Sequence, residues 1–158
     1  MGDRSDKYVD VSVTPTLTAG AYAQYDVAGS LMTFQFGGSA NGLLLTGFKL
    51  TDKGAKANAL RIYIFDALPD TAAIADNAAM AIAAADLPML LYDFTIATGD
   101  YLTYSSLDWY YKFFSPAIAL ELGANAAIYM YAVLTAASPT NPGSTTDLTF
   151  TLRALTQR

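Results

Sequence analysis

Hydrophobic residues recur at every second position along most of this chain, which is the pattern of β-strands that bury one face. Phe34 and Phe36 alternate with polar residues, and so do the valines of residues 9–13. Near the end of the chain, Phe150 and Leu152 are predicted to point inward and Arg153 outward. The same pattern predicts about nine strands, at residues 9–13, 32–36, 44–50, 59–65, 90–96, 107–114, 117–122, 127–135 and 148–155.

Turn-forming residues separate these strands, as in the segments 66–70, 98–100 and 136–147. In the third strand we expect Leu44 to share one face with Phe48 and Leu50. The alanine-rich residues 71–85 are expected to be extended or irregular. Asp86 can cap a short helical turn that tolerates Pro88 in its first turn. The sequence therefore predicts an all-β domain, a sandwich or a barrel, with at most one short helical turn.

Three strands are apolar on both faces, and such strands need cover on both sides. One face of each is predicted to form the core, including Trp109 in the strand at 107–114. The other faces carry the aromatic residues Tyr63, Phe65, Tyr110, Phe114, Tyr129 and Tyr131. We expect these rings to lie in an interface between subunits, because tyrosine is apolar with a polar tip. The alternative is that long loops fold over them.

The composition also indicates a buried surface. Apolar residues make up 53% of the chain and charged residues only 15%, against about 25% charged in average domains. Part of this apolar excess is alanine. The rest favours a surface that is covered by copies of the chain or by a partner protein.

Several classes of function are disfavoured by residues that the chain lacks or scatters. There is no cysteine and no histidine, which removes thiolate chemistry, ordinary catalytic triads and the commonest metal ligands. The net charge is −5 and the basic residues are scattered singly, so we expect no nucleic-acid partner. Charged residues and Pro88 interrupt the apolar stretch at 72–92, so we expect no membrane span.

The first nine residues are predicted to be an arm that precedes a single domain over residues 10–158. Five of the first ten residues are charged, and nothing apolar precedes Tyr8 except Met1, so the segment has little to pack in isolation. The same segment shows no secretory signal. We expect Arg4, Lys7 and Tyr8 to contact a neighbouring protein.

Carboxylates are the remaining candidates for chemistry. Asp66 with Asp70, or Asp100 with Asp108, could form the acid pair of a glycoside hydrolase, and Asp66, Asp70 and Asp76 could bind calcium. All of them lie in turns or at strand ends, where aspartate usually binds backbone N–H groups. We therefore predict no catalytic residue, no metal, no cofactor and no enzyme activity.

The chain resembles small virion proteins of tailed bacteriophages that are similar to capsid decoration, or cement, proteins. The similarity runs through VSVTPTLTAGAYAQYDVAG at 11–29, IYIFDALPDTAAIADNAAMAIAAADLP at 62–88, FTIATGDY at 94–101 and DLTFTLRALTQR at 147–158. It implies a jelly-roll-like antiparallel β-sandwich that forms homotrimers and binds the major capsid protein on the outer surface of the head. The protein would then be made in the cytoplasm of the bacterial host.

Other functions fit the same residues. A head-fibre, tail or adaptor subunit would share the sandwich fold. A carbohydrate-binding module would stack sugars on Tyr110, Phe114, Tyr101 or Tyr104. A polysaccharide depolymerase would need a pair of carboxylates that face each other across a cleft.

Overall fold

Nine strands account for about half of the described residues in a computed structural model, which describes residues 7–37, 42–70, 74–121, 127–137 and 139–157. The strands are β1 Lys7–Val13, β2 Met32–Gln35, β3 Gly42–Asp52, β4 Leu60–Phe65, β5 Leu90–Ile96, β6 Leu102–Tyr104, β7 Leu107–Leu120, β8 Ala127–Leu134 and β9 Leu148–Gln157. Short 3-10 turns span Ala84–Met89 and Thr98–Asp100. None of the helical segments in these ranges is long and apolar enough to cross a membrane.

The strands form two antiparallel sheets, in the orders β1-β9-β3-β7-β6 and β2-β8-β4-β5. Apart from β6, an added strand at one edge, and the β4–β5 pair, successive strands alternate between the two sheets. That arrangement is the jelly roll, in which two Greek keys build a sandwich. The predicted jelly-roll-like β-sandwich is confirmed.

The inner faces of the two sheets meet in one apolar core. Phe48 lies at its centre and contacts the rings of Phe94, Tyr110 and Phe150 at centroid distances of 5.1, 6.3 and 6.3 Å. The predicted inward residues of β2 and β9, including Phe34, are fully buried. These strands keep a strict two-residue period, so the sequence pattern alone identifies their buried faces.

Strand β3 departs from the predicted face. Phe48 and Leu50 are buried as expected, but Leu44 is only half-buried, and Leu43 and Leu45 point into the core instead. The pairing register shifts between Leu45 and Gly47, as in a β-bulge. One extra residue reverses the alternation of faces, so the prediction for Leu44 is wrong.

Strand β7 also departs from the prediction. It is one strand of 14 residues, where two strands separated at Ser115 were expected. Its faces are reversed: Phe114 is buried and Tyr110 packs on the core, while Trp109 lies half-buried on the outer face. Two polar residues share the inner face because each has a partner there: Asp108 accepts a hydrogen bond from the Thr103 hydroxyl, and Lys112 lies over the Phe94 ring.

The outer face of the second sheet is covered by the chain itself. Phe65 and Tyr131 point away from the core as predicted, but they are 1% exposed and pack edge to face at 6.3 Å. The cover comes from apolar residues of the connections that precede β2 and join β4 to β5, among them Val27, Ile74 and Met80. The prediction that these two rings are open to a partner is therefore wrong. Long loops provide the second layer.

The predicted arm overlaps the first strand. Lys7, Tyr8 and Val9 belong to β1 and pair with residues 154–156 of β9, and Val9 packs on the core. Residues 1–6, including Arg4, lie outside the described residues. The structure therefore places Lys7, Tyr8 and Val9 in the sandwich itself.

Candidate functional site

The outer face of the first sheet carries an open aromatic groove. Two adjoining pockets of about 590 and 470 Å³ form it, and they share Tyr111 and Arg153. We call this surface the outer groove. Its lining residues are Tyr8, Asp10, Thr46, Lys49, Thr51, Tyr104, Leu107, Trp109, Tyr111, Phe113 and Arg153.

Strand register brings these residues together from distant parts of the sequence. Asp10 of β1 pairs with Arg153 of β9, which pairs with Gly47 of β3, which pairs with Phe113 of β7. One row further along, Lys49 pairs with Tyr111. The side chains of paired residues in neighbouring strands project from the same face of the sheet. Each line of paired residues therefore runs across the groove from one strand to the next.

Gly47 lies beneath one of the rings of the outer groove. A Cβ atom at this position would lie 2.7 Å from the Tyr111 hydroxyl oxygen, so only glycine lets that ring lie against the sheet. Tyr111 in turn packs against Phe113, with ring centroids 4.5 Å apart. The Tyr111 hydroxyl lies over Gly47 and close enough to Arg153 to help raise the pKa of that guanidinium.

The lining of the outer groove has two positively charged side chains, Arg153 and Lys49, and one negatively charged side chain, Asp10. Arg153 donates two hydrogen bonds to Asp10, of 2.7 and 2.8 Å, and these lower the pKa of Asp10 and raise that of Arg153. The positive charge of Lys49 also lowers the pKa of Asp10. Lys49 belongs to neither of the two ion pairs found in the described residues. The groove therefore carries one surplus positive charge on a chain whose net charge is −5.

Three aromatic rings of this face are widely exposed, while Trp109 and Tyr111 are half-buried. Phe113 is 74% exposed and Tyr104 75%, with Tyr8 and Leu102 exposed beside them. Single exposed apolar residues are common on proteins, but a contiguous group that lines a groove usually marks a binding surface. The inner face of the same sheet already forms the core, so these rings are free to contact a second molecule.

The predicted interface residues do not come together on this face. Tyr63, Phe65, Tyr129 and Tyr131 belong to the cluster that the loops cover, and Tyr110 and Phe114 belong to the core. Tyr8 does line the outer groove, whereas the exposed Lys7 lies beyond its lining.

Three of the five aromatic residues that line the groove were missed by sequence reasoning. Trp109, Tyr111 and Phe113 form the apolar face of β7 that was assigned to the core. Of the four predicted sugar-stacking rings, only Tyr104 is exposed. Tyr101 is half-buried, and its hydroxyl donates a hydrogen bond to the Asn58 carbonyl.

The candidate catalytic carboxylates are dispersed. Asp66 and Asp70 are exposed in a turn, Asp100 accepts a hydrogen bond from the Ala97 N–H, and Asp108 is buried. Asp76 accepts hydrogen bonds from Thr18, Tyr22 and Gly29. Within the described ranges, no three acidic side chains are grouped as a metal site would require.

Two buried carboxylates nevertheless lie side by side. Asp52 and Asp108 are paired across β3 and β7, and Asp52 accepts hydrogen bonds from the N–H groups of Gly54, Lys56 and Ala57. Burial raises the pKa of Asp52 above its usual 3.8, and the negative charge of Asp108 raises it further. These hydrogen bonds close the turn after β3, so the pair serves the fold.

We expect Asp108→Asn to lower the pKa of Asp52, because the amide removes the repelling charge and keeps an oxygen for Thr103. A raised folded-state pKa means that the folded protein binds more protons than the unfolded chain. Stability therefore falls as the pH rises from 3.8 through the raised pKa, and this loss should shrink in the variant. Carboxyl-carbon NMR titration and urea unfolding across this range measure both effects. Asp66→Asn, in an exposed turn, is the control, and an unchanged Asp52 titration in Asp108→Asn would contradict the coupling.

Comparison with known proteins finds no matching family model and no matching curated sequence. Solved structures with a similar chain trace include that of tomato aspermy virus, at a TM-score of 0.46 and 9% sequence identity, with 97% of this chain and 78% of the other covered. The VP2 subviral particle of infectious bursal disease virus has a TM-score of 0.40 and 10% sequence identity, with 98% of this chain and 33% of the VP2 chain covered. The K3 cleaved adhesin domain of Lys-gingipain from Porphyromonas gingivalis W83 has a TM-score of 0.36 and 10% sequence identity, with 95% of this chain and 74% of the adhesin chain covered. All three TM-scores lie below 0.5, so these similarities carry no weight for function.

Proposed function

We propose that the protein is a non-enzymatic structural subunit of a virion. In detail, it is a decoration protein that binds the outer surface of a tailed-phage head as a homotrimer and stabilises contacts between major capsid proteins. The observation that carries this proposal is the outer groove, an exposed aromatic surface on a sheet whose other face is already the core. Such a surface is suited to contact with another protein subunit.

The arrangement of the carboxylates supports a role without catalysis. Asp52, Asp76 and Asp100 each accept hydrogen bonds from backbone N–H groups, which is a structural use of the side chain. A general acid or base needs a perturbed carboxyl group in an accessible cleft. The carboxylate of the outer groove, Asp10, is instead held in a bidentate ion pair that lowers its pKa.

The proposed trimer would join weak contacts into tight attachment. A trimer on a three-fold position of the shell binds through three equivalent surfaces at once, so the contacts reinforce one another. We assign the shell contact to the N-terminal residues, in particular Arg4, Lys7 and Tyr8. Lys7 and Tyr8 are exposed at the edge strand β1, which makes this end of the sandwich available to the shell.

Shell binding tests this function directly. Purified protein is mixed with undecorated heads of a tailed phage and imaged by electron cryomicroscopy. Regular added density on the outside of the head, with heads that resist heating better, is the expected result. Density only on tails or head fibres would contradict the decoration role, and no bound density on any part of the virion would contradict the virion role.

Deleting residues 1–6 is expected to weaken shell attachment by about tenfold or more, because three arms act together in each trimer. The sandwich should remain folded, since β1 begins within the retained residues. Co-sedimentation with heads measures attachment, and circular dichroism checks the fold. Lys53→Gln, which removes an exposed charge from the end of β3, is the control. An arm deletion that binds heads as tightly as the full chain would refute the assignment.

A further inference from the structure

The turn after β4 presents an apolar side chain between two carboxylates. Leu68 is 57% exposed, and Asp66 and Asp70 on either side of it are also exposed. Leu87, 56% exposed, lies on the 3-10 turn that returns to β5. We call residues 66–70 the acidic turn. It is an exposed apolar projection with two negative charges.

The acidic turn is held in place by hydrogen bonds at both ends. The Asp66 N–H donates to the Met89 carbonyl at 3.1 Å, and the Asp70 N–H donates to the buried Asp86 carboxylate at 2.7 Å. Pro69 is buried between them. A projection that is already ordered loses little conformational entropy when it binds.

Charge and chemistry make the acidic turn complementary to the outer groove. The groove offers aromatic rings and the surplus positive charge of Lys49, and the turn offers Leu68 and two negative charges. Opposite charges at a rim favour and orient an apolar contact.

The two surfaces cannot meet within one chain. The acidic turn follows β4 of the second sheet, and the groove lies on the outer face of the first sheet, which points away from the second. A contact between them must therefore join two copies. It would use different surfaces on each copy, so it would repeat head to tail and could close into a ring.

We propose that the acidic turn of one copy of this chain inserts into the outer groove of the next. Leu68 packs against Tyr111 and Phe113, and a carboxylate of the turn reaches Lys49. This inference rests on the proposed function, because it names the surfaces that hold the homotrimer together. Three such contacts would complete the ring and bury the aromatic rings that a single copy exposes.

Complementation between two variants tests the contact. Phe113→Asp damages only the groove and Leu68→Asp damages only the turn, so each variant alone should be monomeric by light scattering, with about a hundredfold weaker association. When the two are mixed, one intact turn still meets one intact groove. Calorimetric titration should then show a one-to-one complex that neither variant forms with itself.

Matched controls separate this contact from general effects of charge. Tyr25→Asp places the same charge at an exposed ring outside both surfaces and should leave the oligomer intact. Lys49→Gln should weaken association, and Lys53→Gln should not. Both Asp variants change exposed side chains, so circular dichroism should show an unchanged fold.

The outcomes distinguish this contact from the virion role. A monomeric wild type, or a Leu68→Asp variant that still forms the wild-type oligomer, would overturn the contact. If such monomers still decorate heads, the virion role stands without it. If the variants complement each other but the wild type binds no part of a virion, the contact stands and the proposed function falls.

Discussion

Replacing Phe114 by alanine is expected to lower the free energy of unfolding by about 3–5 kcal/mol, and replacing Phe113 by less than about 0.5 kcal/mol. The two residues are neighbours in β7, yet one is 7% exposed and the other 74%. Phe114 packs edge to face on Tyr92 and Phe94, at 5.4 and 6.2 Å, so truncation leaves a cavity in the core. Urea unfolding of both variants measures the difference.

This pair is a matched test of the direction in which β7 faces. Similar losses in the two variants, or a larger loss for Phe113→Ala, would contradict the assignment of the outer groove to this face. Phe113 is also expected to stabilise the oligomer, so unfolding is followed at several protein concentrations. The intrinsic stability of the fold does not depend on concentration, whereas the contribution of association does.

Asp76→Ala is expected to lower the free energy of unfolding by about 2–4 kcal/mol. The Asp76 carboxylate accepts hydrogen bonds from the Thr18 N–H, the Tyr22 hydroxyl at 2.7 Å and the Gly29 N–H at 2.6 Å. It thereby ties the connection between β1 and β2 to the connection between β4 and β5. Without it, the N–H of the buried Gly29 loses its acceptor, and such a group is costly to leave unpaired.

Asp66→Ala is the matched control, because it removes the same charge from an exposed turn and should cost little intrinsic stability; unfolding at several protein concentrations separates out any effect of the acidic turn on association. Asp76→Asn should fall between them, since the amide keeps one accepting oxygen. Denaturant unfolding ranks the three variants. The role of Asp76 as a link between the two connections fails if Asp76→Ala is no less stable than Asp66→Ala.

The sandwich itself was predictable because most strands follow one rule. In β2 and β9 the apolar residues alternate strictly, and the burial of Phe34, Phe150 and Leu152 follows from that alternation alone. The segment 71–85 has the composition of a helix, yet the only helical structure in its described part is the start of a 3-10 turn. The hydrogen bonds of Asp76 fix this segment against the connection between β1 and β2, and its apolar residues pack on the outer face of the second sheet. These tertiary contacts outweigh the helix propensity of alanine.

The errors arise where alternation gives no answer. Strand β7 is apolar on both faces, so the sequence pattern does not identify which face forms the core. Because Asp108 and Lys112 are polar, their face was predicted to point outward, whereas it points into the core. Asp108 can lie on the inner face because it accepts a hydrogen bond from the Thr103 hydroxyl, and Lys112 can because its ammonium lies over the Phe94 ring. In β3, a bulge beside Gly47 reverses the faces within a single strand.

The outer groove is harder still to predict, because strand register creates it. Asp10 and Arg153 are separated by 143 positions and meet only when β1 pairs with β9. Gly47 in the middle of a strand was the available signal, since glycine inside a strand often marks a bulge or a close approach of another group. Here it marks both.

The pairing of β1 with β9 also determines when the protein can fold during synthesis. The strands of the second sheet are complete once the ribosome has made Leu134, but in the first sheet β9 lies between β1 and β3 and is the last of the described strands to be made. Until then, β1 and β3 have exposed edges without a partner, which favours association with other nascent chains. Closing the loop from β1 to β9 also makes the final step slow, as is usual for folds built from distant contacts. A chain with this topology would therefore benefit from chaperones that hold it until β9 has been made.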